Sequence, residues 1–425
     1  MYNFDMTAVY RRFLKTMQDT QRDDGDLPGV VPNTKFMPAE GEEVARPRTT
    51  DISWTGAFPQ IARWLMLYAG DTRSAEEAWP ALSRYMAMLA STASNTSVPD
   101  AFIWGDWCAA ESRAVATPNT GPQLAAFNYV MNLDAMAQMA GALGKAADEA
   151  RFAALAAEAR PRLYSSYFNR STGLFGLTPL EAQSCTAAPL VLGGVMPDGG
   201  DEALAARLAA HIRSADDSHL TYGSVGAKHV LPVLTATGHH DLAMEIATQT
   251  TFPSFGHWLA QGATTPWEDW SGFADPSHPP PPTHDHIFLA GGLGEWMYRS
   301  VAGIAPAADA FNAVRCAPAV APGAGPDGAQ AGLNTVRGYT GVSWKRETGG
   351  GFALSCTVPP GATGEVVFPA KDPASVVIVE GDQTVWKGGA FVPGTDGVSG
   401  ATATKTGVAF ATTSGLFAFK AASAV

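Results

Sequence analysis

The character of this chain changes once, near residue 304, and that change limits what it can fold into. Before it, segments of helical length alternate with polar loops carrying Pro and Gly. After it come short β-branched and aromatic runs bounded by turn residues. In the first part, DEARFAALAAEAR places Phe152, Leu155, Ala156 and Ala159 on one stripe at helical spacing, and Pro161 is expected to break or kink that helix. Further helices are predicted to start near Met6, Ala57, Ala75, Pro122, Glu202, Gly226, Asp241 and His286. Helices repeated through the first 305 residues, with almost no strand signal, predict stacked αα-hairpins. A closed ring and an open superhelix both satisfy that pattern. Residues 306–332 read as a linker or irregular wrap, and 333–425 as a β-sandwich. The expected strands are Gly341–Lys345, Phe352–Val358, Glu365–Phe368, Ser375–Val379, Val408–Phe410 and Leu416–Phe419.

Composition removes several function classes. The chain has 425 residues, of which 46% are hydrophobic and 16% charged, enough apolar material for two cored domains. A net charge of −12 argues against nucleic-acid binding, which needs clustered Lys and Arg. It is compatible with a neutral ligand such as a sugar. Cys108, Cys185, Cys316 and Cys356 are scattered and form no CxxC pair, so buried free thiols are expected rather than a metal or redox motif. Residues 1–10 lack a signal-peptide pattern, and no apolar run approaches the ~18 residues of a membrane span. No membrane partner is expected, and the compartment, export included, stays open.

Four clusters carry chemistry. GATTPWEDW, Gly262–Trp270, sets Glu268 and Asp269 between Trp267 and Trp270. Aromatic faces pack on the apolar faces of a sugar ring, carboxylates accept from its hydroxyls, and such a carboxylate can also deprotonate water. An ordinary loop with exposed acids and two core tryptophans fits the same spacing. WGDW, Trp104–Trp107, again puts an acid, Asp106, between indoles. DISWTGA, Asp51–Ala57, contains Trp54 and opens a helix, so Asp51 reads first as its cap. THDH, Thr283–His286, precedes the last long helix. His284, His286 and the nearby His278 lack the i, i+4 spacing of a helical metal pair, and His239–His240 read as surface residues, so no metal or other cofactor is expected. The sequence has no GxSxG elbow, no P-loop pattern and no GxGxxG that opens a βαβ unit.

In this order, these segments resemble glycoside hydrolase family 78, the bacterial α-L-rhamnosidases. The resemblance runs through YNFDM (Tyr2–Met6), GDLPGVVP, DISWTGAFP, GDW, HLTYGSVGAKHVLPVLTATGHHDLA, TFPSFGHWLAQGATTPWEDW and HDHIFLAGGLGEWMYRSVAGI, and on into VPPGATGEVVFP. It implies an (α/α)6 barrel, possessing or lacking its first helix, followed by a C-terminal antiparallel β-sandwich. It also implies inverting hydrolysis of terminal α-L-rhamnosides, with a rhamnose-containing glycoside as partner. Glu268 falls on the general base of the TTxWE motif. Asp106, Trp107, Trp267, Trp270 and His286 are carried over as sugar neighbours, with Asp51, Trp54 and Trp104 added from the clusters above. Two departures stand out. Asp285 replaces the amide of the family's SxNH pattern, and the family's general-acid segment, expected just upstream of NFDM, has no counterpart here. The sequence is then a fragment, or a second polypeptide or oligomer completes the ring and supplies the acid, or an internal acid such as Asp106 or Glu111 stands in. Weak or absent activity of this chain alone is expected. The competing expectations are a carbohydrate-binding or scaffolding protein without catalysis, and another enzyme on the same barrel such as a phosphorylase.

Overall fold

The computed structural model describes residues 2, 4–32, 50–93, 98–110, 120–176, 181–272, 283–321, 323 and 325–423. It divides into two compact units. One comprises residues 6–65 and 71–292, the other 1–5, 66–70 and 293–425.

The first unit is helical. Its longest helix, Thr120–Ala142, is buried on nearly every side, including its polar Gln123, Asn128 and Asn132. A helix apolar all round belongs in a core. It turns through three residues into Ala146–Tyr167, forming an αα-hairpin. Of the predicted stripe, Phe152, Ala156 and Ala159 are buried and Leu155 is half-buried, and Leu163 extends it. Pro161 does not end the helix, which runs six residues further. Proline removes the N–H that would meet the carbonyl of residue i−4, here Ala157, and both Ala157 and Pro161 lie on the exposed side, where water can take that carbonyl. The helices expected near Met6, Ala57, Ala75, Glu202 and Asp241 are found at Thr7–Thr20, Ala57–Ala69, Thr72–Ala90, Asp201–Ser214 and His240–Ala247. Near Gly226 a short 3-10 turn precedes Val230–Ala236. Among the described residues, the α-helices Ala182–Leu192 and Phe255–Ala260 had no sequence forecast. The last long helix starts at Gly291 rather than His286, and continues as a π-helical turn through Met297–Ala302. His240, expected at the surface, is buried with its Nδ1 3.1 Å from the Thr235 hydroxyl. No described helix is long and apolar enough to cross a membrane.

The second unit holds two sheets. Seven strands run in the order Ala390–Phe391, Gln383–Lys387, Ile378–Glu380, Gly415–Ala421, Gly351–Val358, Gly338–Glu347 and Gly328–Thr335, all antiparallel. Five run in the order Val398–Thr404, Gly407–Thr412, Thr363–Pro369, Ala313–Cys316 and Ile304–Pro306. One pairing departs from the expected antiparallel pattern, since Ala313–Cys316 lies parallel to Thr363–Pro369. Alternation along Phe352, Leu354, Cys356 and Val358 points these side chains inward. They share one core with Val366, Phe368, Val408 and Phe410 of the other sheet. Phe352 meets Phe368 edge-on, with centroids 5.5 Å apart, and Phe410 stacks on Phe419 at 4.7 Å.

Two expectations are corrected here. The supposed linker, 306–332, supplies the strand Ala313–Cys316 and the start of Gly328–Thr335. Its Pro- and Ala-rich composition hides a four-residue strand whose Val314 and Cys316 are fully buried. The thiols are not all free either: Cys316 and Cys356 form a disulfide joining the two sheets, and Cys108 and Cys185 are buried free thiols. The bond closes a 40-residue separation, so its loss, as in Cys316→Ser, should destabilise this unit by about 2–4 kcal/mol. In denaturant, thiol titration should count two reactive thiols before reduction and four after it; four before reduction would disprove the bond.

Candidate active site

Hydrogen bonds and ring contacts bring the four clusters together. Asp51 is fully buried. Its Oδ1 accepts from the Ser53 amide at 2.9 Å, capping Ile52–Thr55, and its Oδ2 accepts from the amides of Ile103, Trp104 and Gly105 at 2.8, 2.8 and 3.3 Å. The cap reading was therefore right, but one oxygen also shapes the Trp104 loop. Burial pushes the Asp51 pKa up against the four amides that lower it.

Asp106 works the same way two residues on. Its Oδ2 accepts from the Ser184 hydroxyl at 2.5 Å and the Gly223 amide at 2.9 Å, and its Oδ1 from the amides of Val225 and Gly226 at 2.9 and 3.0 Å. Burial raises its pKa despite the four donors. The approach is so close that a Cβ on Gly223 would sit 2.5 Å from the Asp106 carbonyl oxygen. Neither Asp51 nor Asp106 presents a free oxygen to a ligand, which corrects their assignment as sugar contacts and removes Asp106 as a stand-in acid. Glu111, the other internal acid considered, lies outside the described residues.

The loop so fixed aims Trp107. Its indole N–H donates to Glu268 Oε1 at 3.3 Å, while Glu268 Oε2 accepts from the amide and hydroxyl of Thr283 at 3.0 and 2.9 Å. The Glu268 amide donates to the Thr283 carbonyl at 3.0 Å, and the His286 amide to the Pro266 carbonyl at 2.8 Å, so the two loops pair like short strands. Glu268 is half-buried. Burial raises its pKa, yet the Thr283 and Trp107 donors and the charge of His286 outweigh it and hold the carboxyl below the ordinary glutamate value. Among the described residues, the side chain is a half-buried carboxylate.

Around it, Trp54, Trp104, Trp107 and His286 are partly exposed. Trp54 packs against Trp104 and edge-on to Phe288, both at 5.2 Å, and Phe288 sits 4.0 Å from the His286 ring. Phe288 escaped the sequence reading, which had placed it inside a helix.

Trp267 and Trp270, expected beside a sugar, are buried in the packing of the helical unit. Trp270 is 1% exposed, donates to the Tyr222 carbonyl at 2.9 Å and stacks on Trp258 at 5.0 Å. Trp267 is 5% exposed and stacks on His284 at 4.6 Å. Gly272, at φ +66°, has no Cβ to collide with the Trp267 ring. Asp269 accepts from the amide of Ser271 at 2.7 Å and from its hydroxyl. Among the described residues no group of three or more His, Cys, Asp or Glu could hold a metal, and His278 lies outside them.

A half-buried carboxylate beside aromatic side chains, on loops above packed helices, defines a carbohydrate-active class of site. The model of the bacterial α-L-rhamnosidase six-hairpin glycosidase domain matches residues 1–301, and that of the bacterial α-L-rhamnosidase C-terminal domain matches 303–383; the chain belongs to this family. An α-L-rhamnosidase of Streptomyces avermitilis is 30% identical over 381 residues, covering 88% of this chain and 34% of that protein. One of Formosa agariphila is 26% identical over 89% of this chain and 39% of its own length. The chain thus spans between 34 and 39% of these relatives. Among solved structures, the α-L-rhamnosidase from Dictyoglumus thermophilum has a TM-score of 0.83 at 25% identity, covering 98% of this chain and 44% of that one. The Streptomyces avermitilis enzyme complexed with L-rhamnose has a TM-score of 0.77 at 28% identity, covering 98% and 38%.

Asp106 generates a stability prediction. Asp106→Ala strips four buried donors of their acceptor and should cost about 3 kcal/mol, read as a lower urea midpoint for the helical signal. A loss below about 1 kcal/mol would mean that the carboxylate is not what holds the loop.

Proposed function

We propose that the helical unit is the catalytic part of an inverting α-L-rhamnosidase, built as an (α/α)6 ring, in which Glu268 is the general base. One observation carries the reading: the half-buried Glu268 carboxylate is kept ionised by Thr283 and Trp107, with the partly exposed Trp54, Trp104, His286 and Phe288 in the same group of loops. A water held there loses a proton to Glu268 as it attacks the anomeric carbon from the face opposite the departing oxygen. The two carboxyls of an inverting pair stand about 6.5–9.5 Å apart, leaving room for that water. The substrate follows from the family and from the relative that binds L-rhamnose.

A second reading has its own support. Asp51 and Asp106 are buried and engaged by internal donors, and Asp269 accepts from Ser271, so these three acids are poorly placed to protonate a leaving oxygen. On that ground residues 1–425 tested alone bind rhamnosides and turn over activated ones only slowly.

Glu268→Gln should lower kcat on an aryl α-L-rhamnoside on the order of 10²–10⁴-fold. Proton NMR of the early product should show the inverted anomer; the retained anomer, or full activity in Glu268→Gln, would refute the reading. Since the Glu268 pKa is depressed, the base is ionised above it, and kcat/KM should hold to lower pH than an ordinary glutamate allows before falling. Calorimetric binding of L-rhamnose with no turnover, unaffected by Glu268→Gln, would select the binding-only reading.

A further inference from the structure

A carboxylate has about four lone-pair positions, and the described residues fill those of Glu268 unevenly. Oε2 accepts two bonds, both from Thr283, at 3.0 and 2.9 Å. Oε1 accepts one, the Trp107 indole N–H at 3.3 Å. Thr283 also takes the Glu268 amide on its carbonyl at 3.0 Å, so a single residue holds both ends of the glutamate. Rotating the carboxylate would break both Thr283 donors at once.

We propose that Thr283 is the positioning residue of this site: it saturates Oε2, fixes the carboxylate plane, and leaves, among the described residues, one position on Oε1 as the atom that takes the proton from water. The assignment rests on reading Glu268 as the general base. In the step itself, a water O–H bond breaks and an Oε1–H bond forms. The water oxygen bonds to the anomeric carbon, and the glycosidic bond breaks with its electron pair leaving on the departing oxygen. That oxygen takes a proton from a carboxylic acid, or leaves as a stable phenolate from a 4-nitrophenyl glycoside. The Trp107 N–H becomes a guide on the working oxygen, whereas the Thr283 donors act on the silent one.

The test uses the full chain. With glutamate labelled by carbon-13 and the Glu268 signal assigned from its loss in Glu268→Gln, the carboxyl is titrated by NMR in wild type, Thr283→Val and Thr283→Ser. Thr283→Val keeps the amide donor and loses the hydroxyl, so the Glu268 midpoint should move up, and Thr283→Ser should restore it. With 4-nitrophenyl α-L-rhamnoside, the acid limb of kcat/KM should move up in step, costing on the order of three- to ten-fold at the acid end of the profile, with KM little changed. A crystal structure of the wild type should show an ordered water on Oε1. Thr283→Val titrating like wild type, or the water lying on Oε2, overturns the proposal even where Glu268→Gln confirms the base. If instead Glu268→Gln keeps full turnover, the base reading falls and the proton assignment with it, while the NMR midpoints still decide whether Thr283 governs the carboxyl.

Discussion

The site depends on one buried anion. The Asp106 carboxylate gathers four donors from two distant parts of the chain, Ser184 on one helix and the amides of Gly223, Val225 and Gly226 on a loop. Leaving a charge unpaired in the interior is costly, and a carboxylate met by four donors is the satisfied alternative. Because Trp107 follows directly, whatever fixes Asp106 also fixes the indole that reaches Glu268. The adjoining backbone is stitched as well: the Ser224 amide donates to the Trp107 carbonyl at 2.8 Å and the Ala110 amide to the Thr221 carbonyl at 3.1 Å. The acid once imagined in a proton-transfer role is a tie-rod.

Three carboxylates of similar sequence setting thus end in different states. Asp51 and Asp106 are withdrawn from solvent and consumed by backbone donors, while Glu268 is half-buried. The tryptophans divide likewise. Trp270 and Trp267 are enclosed by Trp258 and His284, whereas Trp54, Trp104 and Trp107 remain partly exposed. An indole N–H buried on a carbonyl, as between Trp270 and Tyr222, has its hydrogen-bonding capacity spent in holding the fold.

Much of this was legible in the residues, and the failures have physical causes. The helix stripe at Phe152, Ala156 and Ala159 and the inward alternation of Phe352 to Val358 are patterns that burial enforces, so they read correctly. A tryptophan beside an acid carries no such pattern, because enclosure in a core and exposure in a cleft leave the same letters behind. Thr283 stood in view within THDH, but its bond to Glu268 spans a Pro-rich stretch of sequence that spacing does not bridge. Ser184 lay on a helix whose Ala-rich, Pro-bearing sequence, Ala182–Leu192, gave no stripe, since nearly all of it is buried. The strand Ala313–Cys316 was too short to emerge from a stretch rich in Pro and Ala.

The bond between Cys316 and Cys356 carries a consequence for where this polypeptide matures. Such crosslinks persist in oxidising surroundings and are rare where glutathione keeps thiols reduced. Both sulfurs lie in the shared interior of the two sheets, where the folded unit shields the bond from reductants. Protein made in a reducing bacterial cytoplasm and protein made in the periplasm should then differ in the resilience of the β unit alone, which makes that unit a chemical record of the host compartment.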